Sequence, residues 1–341
     1  MTKAMAFYQD RAVGVGDIYG ASPQLVNTMA DKTKICPHLQ WHYNLPAEEK
    51  DRFFKTPEAL YLLSNIPKNI AKILVKGFLD GTHGIETIGW EKVVEYFQVN
   101  SRIIPALTEN PGTYSMLEKM YHFEEVWGPI DTYFKMSKAG GQALRNRYDA
   151  VNNHAIAHVN EVLTKQAHCL VIDIGSGPGR NGIDMCLRNP AYKERVKFDC
   201  IDVDNLAIKL GEKLTLEHKL SNFSFIRASM TKLNGRYPGN IDYGLLIGIL
   251  CGLTRSERIG LLTKIKPYFR KGARLIGASL LNEMAKEDLL CAYILRETTG
   301  WGLQYPPLGE LKEVFEEAGW EYEGYFQDEP TRLYGIGIGI A

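Results

Sequence analysis

The sequence predicts two architectures in one chain: a mostly helical region over residues 1–140 and a doubly wound α/β domain over residues 141–341. Three observations carry the second. The apolar run at residues 169–174 leads into Gly175-Ser176-Gly177-Pro178-Gly179, a turn whose glycines let the backbone bend sharply against a ligand. A second apolar run ends in the acid Asp202. Beyond it, short apolar runs alternate with helical periodicity, the pattern of strands and helices wound on one sheet.

Taken in order, residues 169–174 suit a buried parallel strand, and a helix starting near Arg180 points its first amides into the turn. Asp202 at the next strand end can accept from both hydroxyls of a ribose. Dinucleotide turns are spaced G-x-G-x-x-G, with the helix facing a pyrophosphate. Here the spacing is G-x-G-x-G, and Asp173 before it repels a pyrophosphate while favouring a cation or amine. This pattern resembles motif I of the class I S-adenosylmethionine methyltransferases, whose ligand carries an α-amino group and a sulfonium.

The resemblance extends over roughly the last 190 residues. Residues 197–203 are similar to the family's second strand, 223–227 to its third, 241–248 to its fourth, 259–271 to the following helix and 272–280 to its fifth strand. Residues 311–320 have amphipathic helical spacing, and 321–327 with 332–340 resemble the family's closing antiparallel hairpin. The resemblance therefore implies a seven-stranded doubly wound methyltransferase sheet with an antiparallel last strand. It implies S-adenosylmethionine as donor, S-adenosylhomocysteine as product, and no metal. The implied donor contacts are Asp173, Gly175, Ser176, Gly177, Gly179, Asp202, Val203, Ser229, Met230 and Gly248. Two positions depart from the pattern. Ser229 stands where the family has an adenine-binding acid, and after the fifth strand Glu283 is the one titratable side chain where plant-like O-methyltransferases have a basic histidine.

In the N-terminal region, prolines at 37, 46, 57, 67, 105, 111 and 129 divide segments with helical periodicity. Residues 82–99 could form a winged-helix-like unit of the kind used for dimerisation, and the expected partner is a second copy of the chain. Residues 140–163 read as a long helix entering motif I, which in the resembled family covers the donor. Arg147, Tyr148 and Asp149 on it can reach the donor's amino-acid tail or the acceptor, and with a carboxylated acceptor Arg145 and Arg147 are candidate partners for the carboxylate. Tyr148, His154 and Glu283 are the candidate bases, with His122 a further one, and His154 and His158 share a helix face but have no third metal ligand nearby. Tyr293, Arg296 and Tyr305 are expected in the acceptor pocket, and Tyr8 and Tyr19 as lid aromatics. In the last strand, Gly335, Gly337 and Gly339 face one way, so a helix of the first domain or a second subunit is expected to approach there.

Composition narrows the function. Lys plus Arg and Asp plus Glu both number 40, which leaves no basic footprint for nucleic acid, so a small-molecule acceptor is expected. No apolar run reaches the length of a membrane span, the first residues lack a signal-peptide core, and the six cysteines have no C-x-x-C pair. A cytoplasmic protein without disulfide or metal is expected. The sequence thus predicts in-line methyl transfer to a small acceptor, carboxylated and reacting through a thioether sulfur, hydroxyl or amine. The alternatives are an NAD(P)-dependent Rossmann oxidoreductase and a non-catalytic methyltransferase-like partner subunit.

Overall fold

A computed structural model describes residues 44–341, apart from 82, 110, 111, 113, 123–126 and 230–235. Its first part is helical: α1 (Pro57–Asn65), α2 (Lys68–Asp80), α3 (Trp90–Val99), α4 (Ile103–Glu109), α5 (Tyr114–His122) and α6 (Pro129–Met136). The proline breaks have local causes. Thr56 caps α1 by accepting from the Ala59 amide, and Pro57 occupies the first turn, where a missing N–H costs nothing. Gly81, left-handed at φ 66°, ends α2. The winged-helix expectation is corrected: the described residues of 82–99 form a 3-10 turn and α3, with no strand beside them among the described residues. Trp90, Val93 and Phe97 instead turn one apolar helix face into the core.

A π-helical turn, Lys138–Gln142, leads into the long helix α7 (Ala143–Lys165). Its start is held by side chains, Ser137 accepting from the Gly140 amide at 2.7 Å and Asp288 from the Ala139 amide at 3.1 Å. The α/β part follows as β1 (Cys169–Ile174), α8 (Arg180–Arg188), β2 (Val196–Asp202), α9 (Asn205–Glu217), β3 (Phe223–Arg227) and β4 (Ile241–Leu246). Then come α10 (Arg255–Ile265), β5 (Phe269–Leu280), α11 (Asn282–Glu287), α12 (Leu289–Thr299), α13 (Leu308–Glu317), β6 (Glu321–Gln327) and β7 (Tyr334–Ile340). Helix α10 stops at Ile265, earlier than the resemblance implies: Pro267 enters a 3-10 turn, Lys266–Tyr268, and β5 starts at Phe269.

The sheet order is β3-β2-β1-β4-β5-β7-β6; β1 to β5 run parallel, and β7 runs antiparallel to β5 and β6. This is the class I methyltransferase fold, with the antiparallel last strand that the resemblance implies. One sheet face packs on Val151, Ala155 and Val159 of α7, and that core continues into the helical region. There Tyr293 of α12 meets Phe78 and Trp90 edge to face, so a late helix is buried among early ones. The other face packs on α10 and α13 through Leu262, Val314 and Phe315. The glycines of β7 make room for α13: a side chain at Gly335 would meet Leu308 and Leu311, and one at Gly337 or Gly339 would meet Phe315. Neither the helical region nor a second subunit makes that approach, which corrects the sequence expectation. Among the described residues no helix is long and apolar enough to cross a membrane.

Candidate active site

The parallel strands β1 and β4 end beside each other, and their following turns open a cleft at the place where strand order reverses. Gly175 and Gly177 both have positive φ, 68° and 55°, which only glycine adopts without strain. The turn is tied to β2: the amides of Gly175 and Ser176 donate to the Ile201 carbonyl at 2.8 and 3.1 Å, and the Gly177 amide donates to Asp202 Oδ2 at 2.7 Å. Asp202 Oδ1 accepts from the Asp204 amide at 2.8 Å. The ribose acid predicted from sequence therefore also braces the glycine turn.

Asp173 lies behind that turn, 2% exposed, and its Oδ2 is buried with no partner among the described residues. Burial, and then the nearby charge of Asp202, push its carboxyl up to about 7. Burial also raises Asp202, against the amides of Asp204, Gly177 and Val203, which favour its charge. A buried acid and a part-buried one that repel each other beside an open space are suited to a cation.

Helix α5 roofs the cleft. Tyr114, Glu118 and Tyr121 line it, and a side chain at Gly177 would stand 3.2 Å from Tyr114 Cβ. Glu118 grips Arg180, the first residue of α8, through bonds of 2.6 to 3.0 Å, so an ion pair joins the roof to the floor. Sequence reading did not single out these three roof residues. Their spacing i, i+4, i+7 places them on one helix face and is the signal that could have found them.

Of the sequence candidates, Asp173, Gly175, Ser176, Gly177, Asp202, Val203 and Gly248 line the cleft together with Arg147 and Tyr148. Gly179 begins α8 as its cap, where a side chain would meet Cys200 and Phe225. The lining residue after β3 is Ala228 rather than Ser229, and Met230 lies outside the described residues, as do Tyr8 and Tyr19 and the side chain of His122. Tyr148 donates to Asp184 at 2.7 Å, and burial followed by Asp184 raises its phenol far above its ordinary range, so it keeps its proton.

The other candidates stand elsewhere. His154 stacks on Phe326 at 4.6 Å, and burial lowers its pKa. His158, beside Tyr243 and Arg274, is held down to about 4 by burial and then by Arg274. Glu283 pairs with Lys286 on α11 at 3.5 Å. Arg145 reaches the Lys135 carbonyl at 3.4 Å, Tyr293 is core, Tyr305 is buried outside the cleft lining, and Arg296 pairs with Glu297 at 3.2 Å. Among the described residues no group of three metal-ligating side chains is found.

No protein-family model matches the chain, and no curated protein matches it. Among solved structures, a possible exported protein from Bordetella parapertussis is similar, with a TM-score of 0.56 at 14% identity over 87% of this chain and 97% of that one. Magnesium protoporphyrin IX methyltransferase from Synechocystis PCC 6803, with S-adenosylmethionine bound, has a TM-score of 0.47 at 11% identity over 73% and 95%. A 1,6-didemethyltoxoflavin-N1-methyltransferase from Burkholderia thailandensis, with S-adenosylhomocysteine bound, has 0.41 at 15% identity over 56% and 78%. The first of these shows a shared fold over most of both chains.

Proposed function

We propose that this chain is an S-adenosylmethionine-dependent methyltransferase acting on a small, carboxylated acceptor. The observation that carries the reading is the pairing of a glycine turn with two acids, the part-buried Asp202 and the buried Asp173, whose Oδ2 has no partner among the described residues. That oxygen fits the donor's ammonium, and Asp202 at the end of β2 fits the ribose hydroxyls. Bound there, the donor supplies a methyl group on a cationic sulfur, open to in-line attack.

The chain's own residues then have three tasks. Asp173 and Asp202 fix the nucleoside and its tail. Tyr114, Tyr121 and Tyr148 give the cleft an aromatic wall that suits a cationic centre losing its charge. The Glu118–Arg180 pair closes the mouth and excludes water. Because Asp184 and burial keep the proton on Tyr148, the arrangement favours acceptors that attack with an existing lone pair, a thioether sulfur or an amine, over a hydroxyl that must first be deprotonated.

The oxidoreductase reading is disfavoured by the antiparallel β7 and by the acid where a pyrophosphate would lie. The test is calorimetry with S-adenosylmethionine and S-adenosylhomocysteine, followed by formation of S-adenosylhomocysteine from S-adenosylmethionine across thioethers, amines and hydroxyl compounds. Saturable donor binding with turnover of one class is expected. Donor binding without any turnover favours the partner-subunit reading, and absence of binding by folded protein overturns the proposal.

A further inference from the structure

One charge in the cleft is not used by this reading. Arg147 on α7 is 2% exposed, yet no ion pair of its guanidinium is found among the described residues. Its Nη2 donates to the Tyr121 hydroxyl oxygen at 2.7 Å, its guanidinium carbon sits 4.7 Å from the centre of the Tyr334 ring, and its Nε is buried without a partner. After burial itself, the groups acting most on its charge are Tyr121, Tyr334 and Cys251, none of them a carboxylate. A buried guanidinium has donors in a rigid fork, and a ring face with one neutral hydroxyl offsets only part of the cost of desolvating it. Tyr121 accepts from the arginine, so its own O–H is directed elsewhere, and no acceptor for it is found among the described residues. Both side chains line the cleft. Donors of this kind, with a full positive charge, make a site for a carboxylate.

The methyl donor also carries a carboxylate, so position decides. The glycine turn follows β1 and the ribose acid ends β2, whereas Tyr334 starts β7, opposite Leu280 at the end of β5. Across the sheet, β1 and β7 are separated by β4 and β5, about 14 Å at the usual strand spacing. Through the Tyr334 ring Arg147 reaches the β7 side of the cleft, while Tyr121, its ring 4.7 Å from that of Tyr148, keeps the pair in the same cleft as the nucleoside turn. We propose that Arg147 and Tyr121, with the Tyr334 ring beneath, form the subsite for the acceptor's carboxylate, which sets the substrate as a small anion held away from its methylated atom. This rests on the methyltransferase reading.

The experiment saturates the protein with S-adenosylhomocysteine and titrates 3-(methylthio)propionate and benzoate against their neutral amides. The carboxylates are expected to bind saturably and the amides about tenfold or more weakly. Arg147→Met should remove carboxylate binding, and Tyr121→Phe, which deletes one hydroxyl and keeps the ring, should weaken it about threefold or more. Arg147→Met should hold S-adenosylhomocysteine as the wild type does. Equal binding of acid and amide, or no carboxylate binding by wild type, overturns the proposal. So does a loss of S-adenosylhomocysteine affinity in Arg147→Met with 5′-methylthioadenosine, which lacks the amino-acid tail, bound normally, because the donor's own carboxylate then occupies the site. If the wild type fails to bind S-adenosylhomocysteine at all, it is the methyltransferase reading that falls.

Discussion

Replacing Asp173 with Asn separates a ligand-binding acid from a structural one. The side chain keeps its shape and loses its charge. In the folded protein its carboxyl sits at about 7, raised from an ordinary 3.8 by burial and by Asp202. A group whose folded pKa is raised gives stability that is full below the unfolded pKa and is lost as pH rises through the folded one. The window therefore runs from about pH 4 to about pH 7, and the loss is at most about 4 kcal/mol, since each pKa unit corresponds to about 1.4 kcal/mol. Asn does not titrate, so the unliganded variant should be at least as stable as wild type at pH 8 in urea denaturation, with the advantage shrinking toward pH 5. Binding should move the other way. Losing a charge-assisted bond to the donor's ammonium costs about 1.5–3 kcal/mol, a fall in S-adenosylhomocysteine affinity of about 10- to 150-fold at pH 8. Wild-type affinity should itself fall as pH drops below about 7, where Asp173 takes up its proton. A variant that is destabilised at pH 8 and binds S-adenosylhomocysteine like wild type refutes this assignment.

Three further outcomes are expected. Glu118→Gln removes the charge that ties α5 to Arg180, a pair only 16% and 23% exposed, and S-adenosylhomocysteine should leave about threefold or more faster in stopped-flow release, given about 1 kcal/mol for the contact; an unchanged off-rate argues that the pair does not hold the roof. Gly141→Ala puts a methyl group against the backbone carbonyl oxygens of Lys135 and Phe134, which cannot swing aside, and should cost about 1–3 kcal/mol in denaturant titration. His83 beside Glu297 has its pKa raised, mainly by the hydrogen bond to that carboxylate, so its contribution is full below about pH 6.5 and is lost as pH rises through the higher folded value. The stability gap between wild type and His83→Asn should therefore shrink from pH 6 to pH 9, and a gap that is flat with pH contradicts the pairing.

The part of the cleft proposed for the donor was legible because it is local. Asp173, the glycines and Asp202 are set by strand ends and a turn, and a parallel sheet brings those ends together without help from distant chain. The part proposed for the acceptor depends on tertiary packing. Tyr121, Arg147 and Tyr334 come from α5, α7 and β7, and nothing in their local spacing shows that they meet. Helical periodicity placed His154 on α7, but it could not show that this face lies over Phe326 rather than over the cleft. Tyr293 and Arg296 were misleading for the same reason: α12 carries both into the helical region, where one packs against Phe78 and the other pairs with Glu297. The glycine stripe of β7 signalled a close approach, and only the fold identified Phe315 of α13 as what approaches.

The central claim is that the cleft between β1 and β4 holds a nucleoside with a cationic tail. Calorimetric titration of the folded wild type with S-adenosylhomocysteine at pH 8 tests it most directly, with the reduced nicotinamide dinucleotide as the comparison ligand. Saturable one-to-one binding of S-adenosylhomocysteine, weakened about 10-fold or more by Asp173→Asn and absent for the nicotinamide compound, is the predicted result. Heat from the nicotinamide dinucleotide with none from S-adenosylhomocysteine contradicts it.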